Sequence, residues 1–149
     1  MKINKNFNNL VVLDLANNHF GDVALAKKIV DSFGKIIRKY KINSTMKFQF
    51  RNLPNFIHKD FINSDVPYVR RFLDTKMSDE KFFNLFKCIK KNKIKTSCTP
   101  FDEHSVGKIE NFKFDYIKIA SVSALDFNLH ERVIKNKIPK IISTGGIKV

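Results

Sequence analysis

The sequence predicts an α/β fold of (β/α)8-barrel type, with about five parallel strands and four helices. Two observations predict it. Short apolar runs alternate with longer amphipathic ones, and that alternation implies a parallel sheet with helices packed outside it. Polar residues also recur at interior positions of the strands. A buried parallel strand should be almost wholly apolar. Here Asp14 lies between Leu13 and Leu15, Lys47 and Gln49 share one face of a strand, and Lys118 lies between Ile117 and Ile119. A closed barrel offers such residues a common polar interior where opposite charges pair.

The elements follow in order. Leu10 to Ala16 reads as a buried strand. Asp22 can cap a helix whose apolar positions Val23, Ala26, Val30, Phe33, Ile37 and Tyr40 follow the spacing of one face. Thr45 to Phe50 is the second strand. Arg51 to Thr75, with Pro54 and Pro67, reads as one long irregular stretch, and a loop of that length is functional more often than structural. Ser78 caps the next helix, with Asp79 and Glu80 in its first turn and Met77 placed to staple onto Phe82; it runs to about Lys91. Ile94 to Cys98 is a strand, about Glu103 to Asn111 a helix, Tyr116 to Ala120 a strand, about Asp126 to Asn136 a helix, and Lys140 to Ser143 the fifth strand.

Composition bounds the function. The chain has 149 residues, 43% hydrophobic and 28% charged, a globular balance that excludes compositional disorder. It carries no apolar run of about 18 residues, so no transmembrane helix is expected. The polar N-terminal MKINKNFNNL lacks the apolar core of a secretory signal, and a cytoplasmic location with Cys88 and Cys98 as reduced thiols is expected. The net charge of +14 comes from 23 lysines and only 5 arginines, in a chain also rich in Ile, Asn and Phe. These residues share A/T-rich codons, and nucleic-acid surfaces favour arginine, so no specific nucleic-acid partner and no membrane partner is expected. Attraction to anionic substrates remains open.

Barrel active sites lie at the C-terminal strand ends. The polar groups expected there are Asn18, His19, Thr99, Asp102, Ser121, Ser143 and Thr144. Each has a plainer reading. Lys47 or Lys118 could snorkel from an edge, Asp14 could simply pair with Lys47, and His19 could organise a loop. Asp102 could cap the third main helix, and Ser121 and Ser143 could end their strands. Together they place lysines, hydroxyls and amides at one end of a sheet, which suits a phosphorylated or carboxylated small anion.

Five ordered segments carry a resemblance. LDLANNHFGDVALAKKIVD, KFQF at 47–50, TPFDEHSV at 99–106, DYIKIAS at 115–121 and PKIISTGG at 139–146 resemble the motifs of the sialic acid synthase (N-acetylneuraminate synthase) family, from Leu10 to Gly146. The resemblance implies a carbon–carbon bond-forming transferase that condenses phosphoenolpyruvate with an N-acylated amino sugar to a nine-carbon 2-keto sugar acid. It implies that C3 of phosphoenolpyruvate attacks the open-chain aldehyde, polarised by Mn²⁺ or Mg²⁺, and that water then adds at C2 and phosphate leaves. By motif match, Lys118, Thr99, Ser121, Ser143 and the backbone at Gly145 hold phosphoenolpyruvate. Lys47 and Asp14 lie near the reacting carbons, with Asn18, His19, Gln49 and Asp102 in support, and the segment after the second strand reaches toward the sugar.

Three departures bear on this. Asp14 stands where the family typically has Glu. Val122-Ser123-Ala124 intervenes between IKIAS and the carboxylate of Asp126. The histidines His19, His58, His104 and His130 do not match the family's metal ligands, so no metal site is expected in this chain. The resemblance covers the N-terminal half-barrel, without the later strands and the antifreeze-like domain. A truncated or split enzyme, inactive alone, is therefore expected, as a homodimer or with a complementing C-terminal fragment. The alternatives are a non-catalytic binding or assembly module and a shorter-sugar phosphoenolpyruvate-dependent synthase.

Overall fold

The computed structural model describes residues 7–147; the ends of the polar N-terminal segment (1–6) and of the chain (148–149) lie outside the described residues. Five parallel strands, β1 (Val11–Asp14), β2 (Ser44–Phe50), β3 (Lys95–Pro100), β4 (Tyr116–Ile119) and β5 (Lys140–Ile142), form one sheet in chain order β1-β2-β3-β4-β5. That singly wound order is the order of an incomplete (β/α)8 barrel. Among the described residues the α-helices are α1 (Val23–Tyr40), α2 (Leu53–Phe56), α3 (Pro67–Asp74), α4 (Asp79–Lys91), α5 (Glu103–Phe112) and α6 (Phe127–Ile134). The chain divides into two compact units, Met1–Phe48 with Met77–Thr96 and Gln49–Lys76 with Ser97–Val149.

In the first unit β1 pairs with β2 in the register Val11↔Ser44 to Asp14↔Lys47. α1 starts where Asp22 accepts from the Ala24 and Leu25 amides and ends on Lys41 in the left-handed conformation. α4 starts on Ser78, which accepts from the Lys81 amide. Ala26, Val30 and Ile37 of α1 are buried, as are Leu85, Phe86 and Ile89 of α4. The two helices are tied by Asn92, whose amide donates to Asp31 (2.7 Å) and accepts from Arg38 (2.7 Å). Gly34 makes room for it: a Cβ there would lie 2.2 Å from the Asn92 Oδ1. Gly34→Ala must displace this amide from Asp31, Arg38 and the Cys88 carbonyl, with an expected loss of about 1–3 kcal/mol in chemical denaturation despite alanine's better helix propensity.

In the second unit β3, β4 and β5 are parallel, with Cys98↔Ile117 and Lys118↔Ile141 in register. Asp102 and Asp126 cap α5 and α6 through the Ser105 and Leu129 amides. The core holds Phe50, Cys98, Ile109, Phe114, Ile117, Ile119 and Leu129, with Phe50 edge-on to Phe112 and Phe114. A two-pronged ion pair from Arg132 to Glu110 (2.9 and 2.6 Å) joins α6 to α5 and holds the Glu110 carboxyl below its usual range.

Three expectations change. β1 is not buried: Val11 and Val12 are 46% and 42% exposed. Among the described residues it pairs with β2 alone, so its other side is uncovered here. Residues 51–75 are not one irregular stretch but form α2, a 3₁₀ turn (Lys59–Phe61) and α3, which raises the helix number above four. Pro54 and Pro67 occupy the first turns of α2 and α3, where an amide donor is not needed. Thr99 lies inside β3 rather than past its end.

Candidate functional site

At the end of β1 and β2 in the first unit, register places Asp14 directly beside Lys47, and the Lys47 ammonium lies 2.7 Å from the Asp14 carboxylate. The Lys47 side chain is only 12% exposed and that of Asp14 50%. A cation so covered is held by its partner, and the exposed carboxylate edge remains open to solvent. Asn18 donates to the Asp14 carbonyl at 3.2 Å.

His19 is buried and organises the turn that follows β1. Its Nδ1 accepts from the Gly21 amide (2.9 Å), its ring hydrogen-bonds the Ala16 backbone, and Phe82 meets it edge-on. This turn holds Ala16 and Phe20 in the left-handed region, at φ 40° and 47°, a conformation that needs such support. The loop-organising reading of His19 matches this geometry. Burial keeps its pKa below the ordinary imidazole value, so the unfolded chain takes up the proton first as pH falls. The stability from neutral His19 is complete above about pH 6.5 and lost as pH falls below it. Thermal unfolding is expected to show this acid-side loss in the native chain and less of it in His19→Asn, which retains an acceptor.

The second unit gathers most of the remaining residues. β4 places Lys118, half-buried, between the fully buried Ile117 and Ile119. Continuing the β3–β4 register by one residue sets Thr99 beside Lys118 on the same face. The Thr99 hydroxyl is buried and has no hydrogen-bond partner among the described residues. Ser143, two residues beyond Ile141 on β5, shares that face, and its amide donates to the Ile119 carbonyl (3.0 Å). Ser121 opens a 3₁₀ turn after β4. A Cβ on Gly145 would lie 3.7 Å from that of Ser121, so the turns following β4 and β5 meet there. Gly146, at φ 83°, closes the second turn. An ammonium, a hydroxyl without a partner and two serines thus lie on adjoining strands and turns, and all are groups able to donate to an oxyanion.

Two sequence-identified residues are committed elsewhere. Asp102 uses one carboxylate oxygen on the Ser105 amide and the other on the Asn52 amide, both at 2.7 Å. Gln49 accepts from Arg51 at 2.7 Å. Arg51 itself was missed from the sequence. Its guanidinium lies 4.0, 4.4 and 5.6 Å from the ring centres of Phe101, Phe72 and Phe56, and burial lowers its pKa to about 10. The available signal was a rare arginine directly after a strand end; two of its aromatic partners, Phe72 and Phe101, are too distant in sequence to be read. Cys88 and Cys98 are not joined in a disulfide. No three His, Cys, Asp or Glu side chains converge on a metal position among the described residues, so the residues present do not fit the implied cation.

The comparisons agree with this architecture. The NeuB family model matches residues 37–149. An uncharacterized protein of Methanocaldococcus jannaschii is 30% identical over 128 residues, covering 86% of this chain and 35% of that protein. A crystal structure of a Chromobacterium violaceum protein named spore coat polysaccharide biosynthesis protein E superposes with a TM-score of 0.89 at 37% identity, covering 93% of this chain and 42% of that one. The N-acetylneuraminic acid (sialic acid) synthetase of Leptospira borgpetersenii serovar Hardjo-bovis, solved with citrate, shares the fold with a TM-score of 0.78 at 22% identity, covering 95% and 46%. The chain thus spans less than half the length of each of these relatives. Its matched residues extend from within α1 to the last residue, and on that match the chain belongs to the NeuB family, the sialic-acid-type synthases.

Proposed function

We propose that the chain supplies the phosphoenolpyruvate-binding part of a synthase that condenses phosphoenolpyruvate with an N-acylated amino sugar. The observation that carries this reading is the unsatisfied, buried Thr99 hydroxyl in register with Lys118. A buried hydroxyl without a partner costs about 1–3 kcal/mol, and an anionic oxygen placed there removes that cost. Lys118 neutralises phosphoenolpyruvate charge, Thr99, Ser121 and Ser143 donate to its oxygens, and the turn at Gly145 lets backbone approach closely. In the first unit Asp14 holds the Lys47 ammonium in a fixed direction, as a cation serving developing negative charge must be. C3 of phosphoenolpyruvate forms the new bond to the aldehyde carbon, water adds at C2, and the C2–O bond to phosphate breaks. No step is assigned through a metal, which the residues present do not fit.

Titration calorimetry of the 149-residue chain tests the reading. Saturable phosphoenolpyruvate binding is expected, without turnover of N-acylmannosamine with or without Mn²⁺. Absence of phosphoenolpyruvate binding overturns the assignment of the site. Sustained Mn²⁺-dependent turnover by this chain alone overturns its restriction to the binding part.

A further inference from the structure

A cleft of about 720 Å³ lies between α1 and α4 in the first unit and shares no residue with the strand ends described above. Its size is that of a small-molecule site. Cations dominate its lining: Lys27 and Arg38 from α1, Lys87 and Lys91 from α4. The three lysines are exposed, and none has a carboxylate partner among the described residues. Lys87 only rests over the Phe83 ring, at 4.3 Å, and Arg38 spends one donor on the Asn92 amide oxygen, at 2.7 Å. Asp31 is the single carboxylate of the lining. Its Oδ1 already accepts from the Asn92 amide (2.7 Å) and the Cys88 thiol (3.7 Å). Burial, and after it the Asp31 carboxylate, push the Cys88 thiol up, so it stays neutral at physiological pH and adds no anion. Four cations therefore face one carboxylate. Lys87 and Lys91 stand one turn apart on α4, where like charges repel, and α1 brings two more cations to the same cleft. An anion seated among them turns that repulsion into attraction.

We propose that the cleft between α1 and α4 binds a linear polyphosphate, free or as the phosphate chain of a nucleoside triphosphate. The inference is independent of the phosphoenolpyruvate reading. Lys27 and Arg38 are eleven residues apart on one helix, about 16 Å along its axis. Charges strung out in this way suit several linked phosphates better than one compact oxyanion. Lysine acts on phosphate as a mobile point charge, so the chain needs no single fixed geometry. The lining contains no aromatic ring on which a base could stack, so the phosphates carry the recognition.

Calorimetry of the 149-residue chain at ~0.15 M salt, with inorganic tripolyphosphate, orthophosphate and ATP as separate titrants, tests the proposal. Tripolyphosphate is expected to bind at one site, at least about tenfold more tightly than orthophosphate. Lys87→Gln and Lys91→Gln, both at exposed helix positions, are each expected to weaken it about fivefold or more, while Lys137→Gln, an exposed lysine of the second unit, changes it less than about twofold. ATP affinity within about threefold of tripolyphosphate assigns the cleft to a nucleoside triphosphate, and much weaker ATP binding assigns it to free polyphosphate; either supports the proposal. A second readout uses the thiols. Cys98 is fully buried, so iodoacetamide modification of the folded chain reports Cys88 in the cleft, and saturating tripolyphosphate is expected to slow it about fivefold or more. Absence of tripolyphosphate binding overturns the proposal, as does ATP binding without it. Equal weakening by Lys137→Gln also overturns it, by showing diffuse attraction to the whole basic surface, and so does binding that leaves the modification rate of Cys88 unchanged.

Discussion

Lys118→Ala is expected to abolish phosphoenolpyruvate binding to this chain, with a loss of affinity of about 100-fold or more. The estimate follows from charge-assisted bonds of about 1.5–3 kcal/mol each, of which an ammonium can make more than one to a polyanion. The position amplifies the effect. Lys118 is half-buried between Ile117 and Ile119, both almost fully enclosed, so little solvent screens its charge. Water entering the space left by alanine cannot replace a fixed cation. Those isoleucines keep β4 packed whatever stands at 118, so the variant should fold, and Lys118→Met provides a control that keeps the apolar stem. An affinity within threefold of the native value would sink the placement of phosphoenolpyruvate on β4.

The largest effect on stability is expected from Asp102→Ala, at about 2–3 kcal/mol in urea denaturation. Two separate interactions disappear together. One is the cap of α5, where the Ser105 amide donates at 2.7 Å; caps of this kind contribute about 0.5–2 kcal/mol. The other is the 2.7 Å bond from the Asn52 amide, which ties the chain after β2 to the start of α5. Losing it leaves a partly buried backbone donor unsatisfied. Asp102→Asn keeps one acceptor oxygen and should cost about half as much. Equal stability of Asp102→Ala and the native chain would mean that the tie to Asn52 does not persist in solution.

Much of the fold was legible because its signals are local. Asp22, Ser78, Asp102 and Asp126 each cap the helix they precede, since a short oxygen acceptor before an amphipathic run satisfies free amides whatever surrounds it. The Asp14–Lys47 ion pair was legible too, because opposite charges at matching depths of neighbouring parallel strands have few other ways to be buried. The segment 51–75 was not: short helices such as α2 and α3 have little intrinsic stability and form where side chains from elsewhere hold them. Phe101, which stacks on Arg51 beside Phe56 and Phe72, is one such contact, fifty residues away in sequence.

The sequence by itself determined the order of strands and helices, the helix caps, the family and the polar residues carried by the strands. Tertiary structure decided which of those residues keep free chemistry. It commits both oxygens of Asp102 and the ring of His19 to backbone, leaves the Thr99 hydroxyl and the Nε of Arg51 without a hydrogen-bond partner among the described residues, and leaves the apolar Val11 and Val12 of β1 exposed. Local propensity acts through neighbours in the chain, whereas burial, edge position and charge compensation depend on partners brought together only when the chain has folded.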